Sequence, residues 1–236
     1  MKLIQALNLL PGSKGRMISF VGGGGKTSTL FALADELAEA GKKVLITTTT
    51  AMYNPEGVNH PGISILGEHV TVEGKLKGIS TEMADKIYQR DCYDFILVEA
   101  DGSKGRPIKA PAEHEPVLPR STDLLVGVIG MDSFGKALSS EYVHRPELLA
   151  ERAEAELGDI VNEEVITALV AHKLGLFKSC PKEAVKILLL NKVLEEETKE
   201  AARKIGNQVL NTCTDINRVL LAAVKEQEPV KELLQR

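Results

Sequence analysis

The fold of this chain is decided by residues 17–28, which read Met-Ile-Ser-Phe-Val-Gly-Gly-Gly-Gly-Lys-Thr-Ser. The apolar run from Met17 to Val21 predicts a buried strand, which stops at four consecutive glycines. A helical pattern begins directly after the lysine and the threonine, and Gly41 is a stop signal for it. The apolar residues of this pattern share one helix face: Leu30, Leu33, Ala34 and Leu37. The sequence therefore predicts a strand, a glycine-rich loop and a helix in direct succession.

This succession is typical of the phosphate cradle of P-loop nucleotide-binding proteins. Glycines let backbone N–H groups converge on phosphate oxygens, and the helix N-terminus adds partial positive charge. Lys26 is placed to reach the outer phosphates, and the hydroxyl of Thr27 can bind Mg²⁺. The expected nucleotide-binding residues of the loop are Gly22, Gly23, Gly24, Gly25, Lys26, Thr27 and Ser28.

The spacing of the loop differs from the usual one. The first glycine normally stands six residues before the lysine, where this chain has Phe20. Here Gly22 opens the loop, so the motif is the shorter Gly-x-x-Gly-Lys-Thr. This short form resembles the loop of the Mur-type amide ligases, which favours ATP-dependent ligation as an alternative function.

Length and composition narrow the class of protein. At 236 residues with 43% hydrophobic residues, the chain is expected to form a single domain, 1–236. A net charge of −4, the absence of Trp and 4% aromatic residues argue against nucleic-acid binding. No apolar run approaches the roughly 20 residues of a membrane span, and the three cysteines are far apart, as is typical of a reducing compartment. We expect a cytoplasmic protein with neither nucleic acid nor membrane as a partner.

A second buried strand, at 44–46, ends in the four threonines 47–50. In open parallel sheets this end of a strand faces the ligand crevice. Thr48 and Thr49 are therefore candidates for contacts to phosphate or to Mg²⁺-bound water. The alternative is that these β-branched residues simply belong to the strand.

A third apolar strand, at 94–98, ends at Glu99. P-loop proteins place a carboxylate at such a strand end beside the Mg²⁺ of the nucleotide. Asp101 lies two residues further and points to the same side of an extended chain. The expected catalytic residues are Lys26, Glu99 and Asp101, and the expected metal ligands are Thr27 and Glu99.

The loop at 102–116 carries cations and three prolines, which we expect to hold it open beside the crevice. Its cations fit either a clamp on the γ-phosphate or an anionic substrate such as a phosphorylated pterin cofactor. The alternative is a solvated connector. An arginine just before a helix at 146 can also lean into a phosphate site. The expected substrate-binding residues are Thr48, Thr49, Lys104, Arg106, Lys109, His114 and Arg145.

Two insertions are predicted in the sheet. After a loop at 51–62, short β segments at 70–72 and 76–79 predict a surface hairpin, within an insertion at about 62–80. Helical patterns predict a helical insertion at about 144–178. Helix starts are predicted at Ser80 or Thr81, at Pro146 and at Asn162.

The last strong strand, at 185–190, precedes Asn191 and Lys192, which we expect to contact the nucleotide. This pair resembles the base-reading Asn-Lys-x-Asp of GTP-binding proteins, but Leu194 stands where the acid would be, so guanine selectivity is not expected. The C-terminal predictions are a helix at 195–204, a short strand near 209, a capping box at 212–215 and a charged helix or frayed tail at 226–236. Five or six strands alternate with helices, which predicts an α/β fold with a doubly wound, mainly parallel sheet of the P-loop nucleotide-binding type.

Several motifs occur together along the chain. They are Phe-Val-Gly-Gly-Gly-Gly-Lys-Thr-Ser at 20–28, Thr-Thr-Thr-Thr at 47–50, Val-Glu-Ala-Asp-Gly-Ser-Lys-Gly at 98–105, Lys-Ala-Pro-Ala-Glu-His-Glu-Pro at 109–116, His-Arg-Pro-Glu at 144–147 and Leu-Asn-Lys-Val at 190–193. This set resembles the YqeC family of selenium-dependent molybdenum hydroxylase accessory proteins. The resemblance implies a P-loop protein that assists the maturation of these enzymes, with a molybdenum hydroxylase or its cofactor precursor as partner. The resemblance implies the biological process in which the protein takes part, but not the chemical reaction that it catalyses.

Three functional hypotheses follow. The leading one is an NTP hydrolase or phosphoryl-transfer factor that binds ATP or GTP with Mg²⁺, in which charge neutralisation does most of the chemical work. The second is Mur-like ligation through an acyl phosphate, against which the chain is short for a separate substrate domain. The third is a non-hydrolysing chaperone or carrier that nucleotide switches.

Overall fold

The computed structural model of the chain describes residues 1–9, 16–53 and 60–236. The described residues form twelve strands: β1 (Arg16–Gly22), β2 (Val44–Thr48), β3 (Ala51–Tyr53), β4 (Ile63–Leu66), β5 (Lys75–Lys77), β6 (Phe95–Glu99), β7 (Ile108–Lys109), β8 (Leu124–Gly130), β9 (Val143–His144), β10 (Val185–Asn191), β11 (Ile216–Ala222) and β12 (Val230–Gln235). The same ranges contain six α-helices: α1 (Leu3–Ala6), α2 (Lys26–Glu39), α3 (Thr81–Gln89), α4 (Pro146–Ala153), α5 (Glu163–Ala171) and α6 (Glu196–Thr212). A short 3-10 helix spans Met131–Ser133.

Eight of these strands form one sheet in the order β12-β11-β10-β8-β1-β6-β2-β4. Seven of them are parallel, and β12 pairs antiparallel with β11 at one edge. The predicted doubly wound, mainly parallel sheet is confirmed. This order places the carboxyl end of β1, where the glycine loop begins, between those of β8 and β6.

Helices cover both faces of the sheet. On one face, α1 and α2 pack on apolar side chains such as Ile18 and Phe20 of β1. On the other face, α4, α5 and α6 pack on alternating residues such as Leu188 and Leu190 of β10, and α3 covers Met17 and its neighbours. The central strands are buried on both sides, which explains their continuous apolar runs.

The segment after β2 differs from its prediction. β4 is the edge strand of the main sheet, paired with β2, although its residues were predicted to open a hairpin insertion. β3 lies in the predicted loop and pairs antiparallel with β5, whereas Val70 makes only an isolated bridge to Leu76. The reason is that the apolar Leu76 and Met52 both pack into the core, which joins these distant segments. Residues 54–59 of the predicted loop lie outside the described residues.

The C-terminal prediction is wrong in three places. Val209 lies within α6, because its fully buried side chain continues the helical spacing of Ala202 and Ile205. The expected capping box is absent from this described segment, since Asp215 instead forms an ion pair with Lys186. The tail is β12 and not a helix.

β12 is a strand because its two adjacent leucines pack on opposite faces of the sheet. Leu233 packs with the cluster on one face, and Leu234 packs with the cluster on the other. Only an extended chain alternates consecutive side chains in this way. Within the described ranges, every helix is too short or too polar to cross a membrane.

Candidate functional site

The glycine loop joins β1 to α2 and packs tightly against neighbouring chain. At Gly24 the backbone φ is +74°, and an added Cβ would lie 2.2 Å from the amide nitrogen of Gly130. At Gly25 φ is +127°, and an added Cβ would lie 2.3 Å from Nδ2 of Asn191. Both positions therefore need glycine, because a side chain would meet backbone strain and a steric overlap together.

Asp101 holds the Lys26 side chain against its own loop. Lys26 is 4% exposed, and its Nζ donates a hydrogen bond to the carbonyl oxygen of Gly22 at 2.8 Å. Oδ1 of Asp101 lies 3.2 Å from the same Nζ, and Oδ2 accepts a hydrogen bond from the Gly22 N–H at 3.0 Å. The geometry at Oδ1 is that of an ion pair and not of a hydrogen bond. The ammonium is thus fixed at the start of α2.

Thr27 and Glu99 meet on the other side of the loop. The Thr27 hydroxyl donates a hydrogen bond to Oε2 of Glu99 at 2.6 Å, and the Glu99 side chain is almost completely buried. Burial raises the pKa of the Glu99 carboxyl above its ordinary value, although the Lys26 charge and the Thr27 hydrogen bond oppose this shift. The two oxygen-bearing groups that the sequence predicts as metal ligands are therefore adjacent.

This pair of groups fits Mg²⁺. Mg²⁺ prefers hard oxygen ligands, keeps several waters and is usually bound by one or two protein groups together with substrate phosphates. The Thr27 hydroxyl and the Glu99 carboxylate are such groups, and both face the same cavity. Within the described part of the chain, no three His, Cys, Asp or Glu side chains are grouped as a metal centre.

Asn191 connects the glycine loop to the loop that follows β11. Its Nδ2 donates a hydrogen bond to the carbonyl oxygen of Gly24 at 2.8 Å, and its Oδ1 accepts one from the Val224 N–H at 3.1 Å. Lys192, next in the chain, is exposed and forms an ion pair with Asp132 at 2.5 Å. Asn191 is buried, so its first role in the structure is to hold these two loops together.

A chain of alternating charges runs from the glycine loop to the start of α4. Nζ of Lys109 lies 3.0 Å from Oδ2 of Asp101 and 2.8 Å from Oε2 of Glu115. An Nη atom of Arg145 lies 2.6 Å from the same oxygen of Glu115. Burial raises the pKa of Glu115, but hydrogen bonds and charges from Lys109 and Arg145 outweigh it and hold that pKa at about 2. Together with Lys26, these residues form a row of five charged groups of alternating sign, in the order Lys26, Asp101, Lys109, Glu115 and Arg145.

The glycine loop opens into a cavity of about 760 Å³. This volume lies within the range of small-molecule sites. Its centre is lined by Gly24, Gly25, Lys26, Thr27, Ser28 and Glu99. It is also lined by residues that follow β10 and β11, which are Asn191, Lys192, Leu194, Ala223, Val224, Lys225 and Glu226. The segment from Thr50 through β3 and the strand β5 contribute Thr50, Ala51, Met52, Tyr53 and Lys75, and the 102–116 loop contributes Gly102, Ser103, Lys104, Gly105 and Glu115.

The family model described as YqeC protein matches residues 18–147, which include the glycine loop, Glu99, Asp101 and the row of charges up to Arg145. The chain belongs to the YqeC family. A curated relative from Escherichia coli K12, named uncharacterized protein YqeC, is 35% identical over 237 residues, which cover 91% of this chain and 90% of the relative.

Among solved structures, this YqeC-family chain is distantly similar to two proteins. FtsY from Mycoplasma mycoides has a TM-score of 0.44 and 16% identity, with 94% of this chain and 63% of that chain covered. The MinD cell division protein from Aquifex aeolicus has a TM-score of 0.46 and 14% identity, with 87% and 81% covered. Similarity at this level does not indicate a shared function.

Several of the predicted substrate residues of this YqeC-family chain lie away from the cavity. Lys109 is 1% exposed and has its ammonium in ion pairs, which corrects the expectation that it faces an open crevice. Its loop is not held open either, since its second half is mostly buried and β7 pairs with β9. Arg145 is engaged by Glu115, and the exposed Arg106 and His114 are outside the cavity lining. Lys104 alone of these cations lines the cavity.

The hydroxyl groups of the threonines at the end of β2 also donate hydrogen bonds within the protein. The hydroxyl of Thr48 donates to the Glu99 carbonyl oxygen at 2.8 Å, and that of Thr49 donates to the Val117 carbonyl oxygen at 2.6 Å. Thr50, which was not singled out, lines the cavity instead. Asp101 likewise lies behind Lys26 and not on the cavity wall.

Sequence reasoning missed two groups of cavity residues in this YqeC-family chain. The first is the loop Ala223–Glu226 after β11, which was missed because β11 itself was not predicted. Its signal is the apolar run at 219–222, which ends in small residues as strands at a ligand crevice do. The second is the pair Tyr53 and Lys75 on β3 and β5, for which the sequence carries no local signal.

Proposed function

We propose that this YqeC-family protein binds a nucleoside triphosphate with Mg²⁺ at the glycine loop and hydrolyses or transfers its γ-phosphate. The observation that supports this is the grouping of Lys26, Thr27 and Glu99 at the N-terminus of α2, on the wall of one cavity. These are the groups that phosphoryl transfer requires: a cation for the phosphates, a hydroxyl and a carboxylate for the metal, and backbone N–H groups of a glycine loop.

Each residue has a distinct part in this proposal. Lys26 neutralises the outer phosphates, and Thr27 and Glu99 hold Mg²⁺, which would supply charge neutralisation on the transferring group. Asp101 positions Lys26, because it contacts both the ammonium and the Gly22 N–H from behind the loop. In hydrolysis a water oxygen bonds to the γ-phosphorus as the bond to the bridging oxygen breaks, and the diphosphate leaves with that electron pair. The proton of the attacking water passes to a phosphate oxygen, and Glu99 keeps its part as a metal ligand on the cavity wall.

The base of the nucleotide would lie towards β11. Leu194 is 65% exposed and lines this end of the cavity. A leucine side chain cannot accept hydrogen bonds from the two guanine N–H groups, and a site without such an acceptor discriminates little in favour of guanine. We therefore propose weak base discrimination or a preference for ATP, with Asn191 as a contact beside the loop.

The biological role that we propose is inferred from the resemblance of the chain to its family. We propose that the nucleotide chemistry serves the maturation of selenium-dependent molybdenum hydroxylases in the cytoplasm, with such an enzyme or its cofactor precursor as partner. The motifs at 98–105 and 109–116 support this role, and they lie within the matched family region.

A nucleotide-switched carrier is the second candidate function. The observation that favours it is the row of charges that joins Lys26, through Asp101 and Lys109, to the start of α4. If a phosphate draws Lys26 away from Asp101, this row must rearrange. Single-turnover phosphate release separates the two candidates, because a switch releases no phosphate in the absence of its client.

The experiment that tests the proposal is calorimetric titration of Mg²⁺–ATP and Mg²⁺–GTP into the wild type and Lys26→Ala. We expect Lys26→Ala to lower the affinity at least a hundredfold, which corresponds to about 2.7 kcal/mol. Lys42→Ala is the matched control, because Lys42 lies just beyond the far end of α2. Equal affinity of the Lys26→Ala protein and the wild type would overturn the proposal.

A further inference from the structure

The order of the strands fixes the order in which the functional groups follow one another along the cavity. From β11 to β2, the carboxyl ends of the strands pass β10 with Asn191, then β1 with the glycine loop, then β6 with Glu99. On the proposed function, a nucleotide therefore extends from its base near β10 to its γ-phosphate near Glu99. The cavity continues past Glu99, towards Thr50 and the ribbon formed by β3 and β5.

The ribbon presents a lysine and a tyrosine to this part of the cavity. Tyr53 and Lys75 are directly opposite each other in the register of β3 and β5, and both line the cavity. Nζ of Lys75 lies 5.5 Å from the centroid of the Tyr53 ring. This is a cation–π distance, so the ring helps to fix the position of the ammonium. Tyr53 is 67% exposed, so the pair faces solvent-filled space.

Lys104 lines the same cavity from a different element. It lies in the loop after β6, with a φ of +50°, and lines the cavity together with Ser103. Among the described residues, no carboxylate lies within ion-pair distance of Lys75 or Lys104. Two cations thus face one cavity wall from separate elements.

The acids nearby do not cancel these two charges. Glu115 is held by Lys109 and Arg145, and Glu99 is hydrogen-bonded by Thr27. At the opposite end of the cavity the charges are balanced, since Lys192 pairs with Asp132 and Lys225 is followed by Glu226. Among the described lining residues, Lys75 and Lys104 therefore form an excess of positive charge at the ribbon end.

We propose that the ribbon end of the cavity is a second binding site, for an anionic ligand whose phosphate or carboxylate group is bound by Lys75 and Lys104. Tyr53 is a positioning residue that orients Lys75. This proposal rests on the proposed function for one point only, which is that the ligand lies beside the γ-phosphate. The site itself consists of residues outside the glycine loop, so it can be tested separately.

The test is an NMR titration of protein saturated with Mg²⁺ and a non-hydrolysable ATP analogue. The probes are phenyl phosphate, benzoate and phenol, which share a ring and differ in charge. We expect one or both anions to bind saturably and phenol not to bind. Binding of phenyl phosphate alone identifies a phosphorylated ligand, binding of benzoate alone identifies a carboxylate ligand, and either result supports the site.

Variants of the ribbon locate the binding. Lys75→Met and Lys104→Met each remove one charge from a different element, and each should lower the anion affinity at least fivefold. Tyr53→Leu removes the ring over which Lys75 lies and should lower the anion affinity, whereas Tyr53→Phe keeps the ring and should restore it. Lys77→Met is the matched control, because Lys77 lies two residues along the same strand, is engaged by Glu68 at 3.2 Å and is absent from the cavity lining.

The outcomes separate this inference from the nucleotide proposal. If the ATP analogue fails to bind, the nucleotide proposal fails, and the anion titration is then made on the free protein with the same variants. The inference is overturned if neither anion binds, if phenol binds equally well, or if Lys75→Met and Lys104→Met both bind the anions as the wild type does. It is also overturned if the ATP analogue competes with the anions, since one site would then explain both ligands.

Discussion

At the scale of single residues, Asp101 joins the glycine loop to two buried lysines. It accepts the Gly22 N–H and lies between the ammonium groups of Lys26 and Lys109, with 2% of its surface exposed. Removing one member of a buried ion pair costs more than the pair contributes, because the remaining charge stays buried without its partner. Asp101 is therefore expected to matter for stability as well as for the position of Lys26.

We predict that Asp101→Asn lowers the free energy of unfolding by about 3 kcal/mol. Asparagine can still accept the Gly22 N–H, so the loss reports the charge and not the hydrogen bond. Asp132→Asn is the matched control, because it breaks an exposed ion pair with Lys192 and should cost no more than about 1 kcal/mol. Urea unfolding of both variants measures the difference, and equal losses would contradict the assigned role of Asp101.

The second residue-scale prediction concerns acid stability. Lys109 and Arg145 hold the pKa of Glu115 at about 2, well below the ordinary value of 4.5. A carboxyl group with a lowered folded-state pKa stabilises the fold above its unfolded pKa, and this stabilisation disappears as the pH falls towards the folded value. Glu115 should therefore contribute about 3 kcal/mol at neutral pH, lost progressively between about pH 5 and pH 2.

Glu115→Gln tests this contribution. The variant should be less stable than the wild type at pH 7, and the difference should shrink as the pH is lowered to about 2. Unfolding free energies measured across this pH range give the result. A constant difference at all pH values would show that Glu115 is not ionised in the way that its ion pairs imply.

At the scale of elements, local signals account for what could be predicted from the sequence. The glycine loop, the N-cap of α3 at Ser80 and the N-cap of α5 at Asn162 each depend on neighbouring residues, and the structure has all three. The burial of Lys109 could not be predicted, since it depends on Asp101 and Glu115 meeting across a folded loop. As functional residues, the predicted site positions remain predictions.

The pairing of β3 with β5 has the same physical origin. More than twenty residues separate the two strands in the chain, and nothing in either segment specifies the other. Long-range pairing of short strands depends on the core that both cover, in this case through Met52 and Leu76. The cavity wall formed by Tyr53 and Lys75 therefore could not be predicted from local sequence patterns.

The prediction for the loop element is that Gly24→Ala is far more damaging than Gly41→Ala. Both glycines have a φ near +75°, at +74° and +77°, but an added Cβ at Gly41 meets nothing within 4 Å. Gly41→Ala should cost about 1 kcal/mol, the usual penalty of a left-handed alanine. Gly24→Ala adds an overlap with the backbone of Gly130, so the loop must move, and we expect a loss above about 3 kcal/mol together with loss of nucleotide binding. Similar losses in thermal and urea unfolding would contradict the tight packing of the loop.

At the scale of the whole molecule, the proposed functional groups share one edge of the sheet. The glycine loop, Glu99, Asn191 and the Ala223–Glu226 loop all follow the carboxyl ends of parallel strands. Open α/β sheets bind ligands at this edge because the loops there converge from several strands. The opposite edge is made of connections such as 119–123 and 181–184, and residues 120–123 and 181–183 of these connections line a separate, smaller depression.

This arrangement predicts where hydrogen exchange will change on ligand binding. With Mg²⁺ and a non-hydrolysable ATP analogue, amides at 22–28, 99–101, 191–194 and 223–226 should exchange more slowly, while those at 119–123 and 181–184 should be unchanged. At a ligand concentration that just saturates the wild type, Lys26→Ala should show no protection, because the phosphates would lose their cation. Protection at the opposite edge, or protection that survives in Lys26→Ala, would contradict the placement of the nucleotide.

The same experiment distinguishes the two ends of the cavity. The nucleotide analogue alone should leave β3 and β5 unchanged, since Tyr53 and Lys75 belong to the separate β3–β5 ribbon, which lies beyond the γ-phosphate in the proposed placement. Addition of phenyl phosphate or benzoate should then slow exchange in these two strands and at 102–105. Among the described residues of β3 and β5, Met52 and Leu76 are the two buried side chains that join the ribbon to the core, so the ribbon is a low-stability element whose exchange responds to small binding energies. Protection of the ribbon by nucleotide alone would mean that the nucleotide fills the whole cavity, with no room for a second anion.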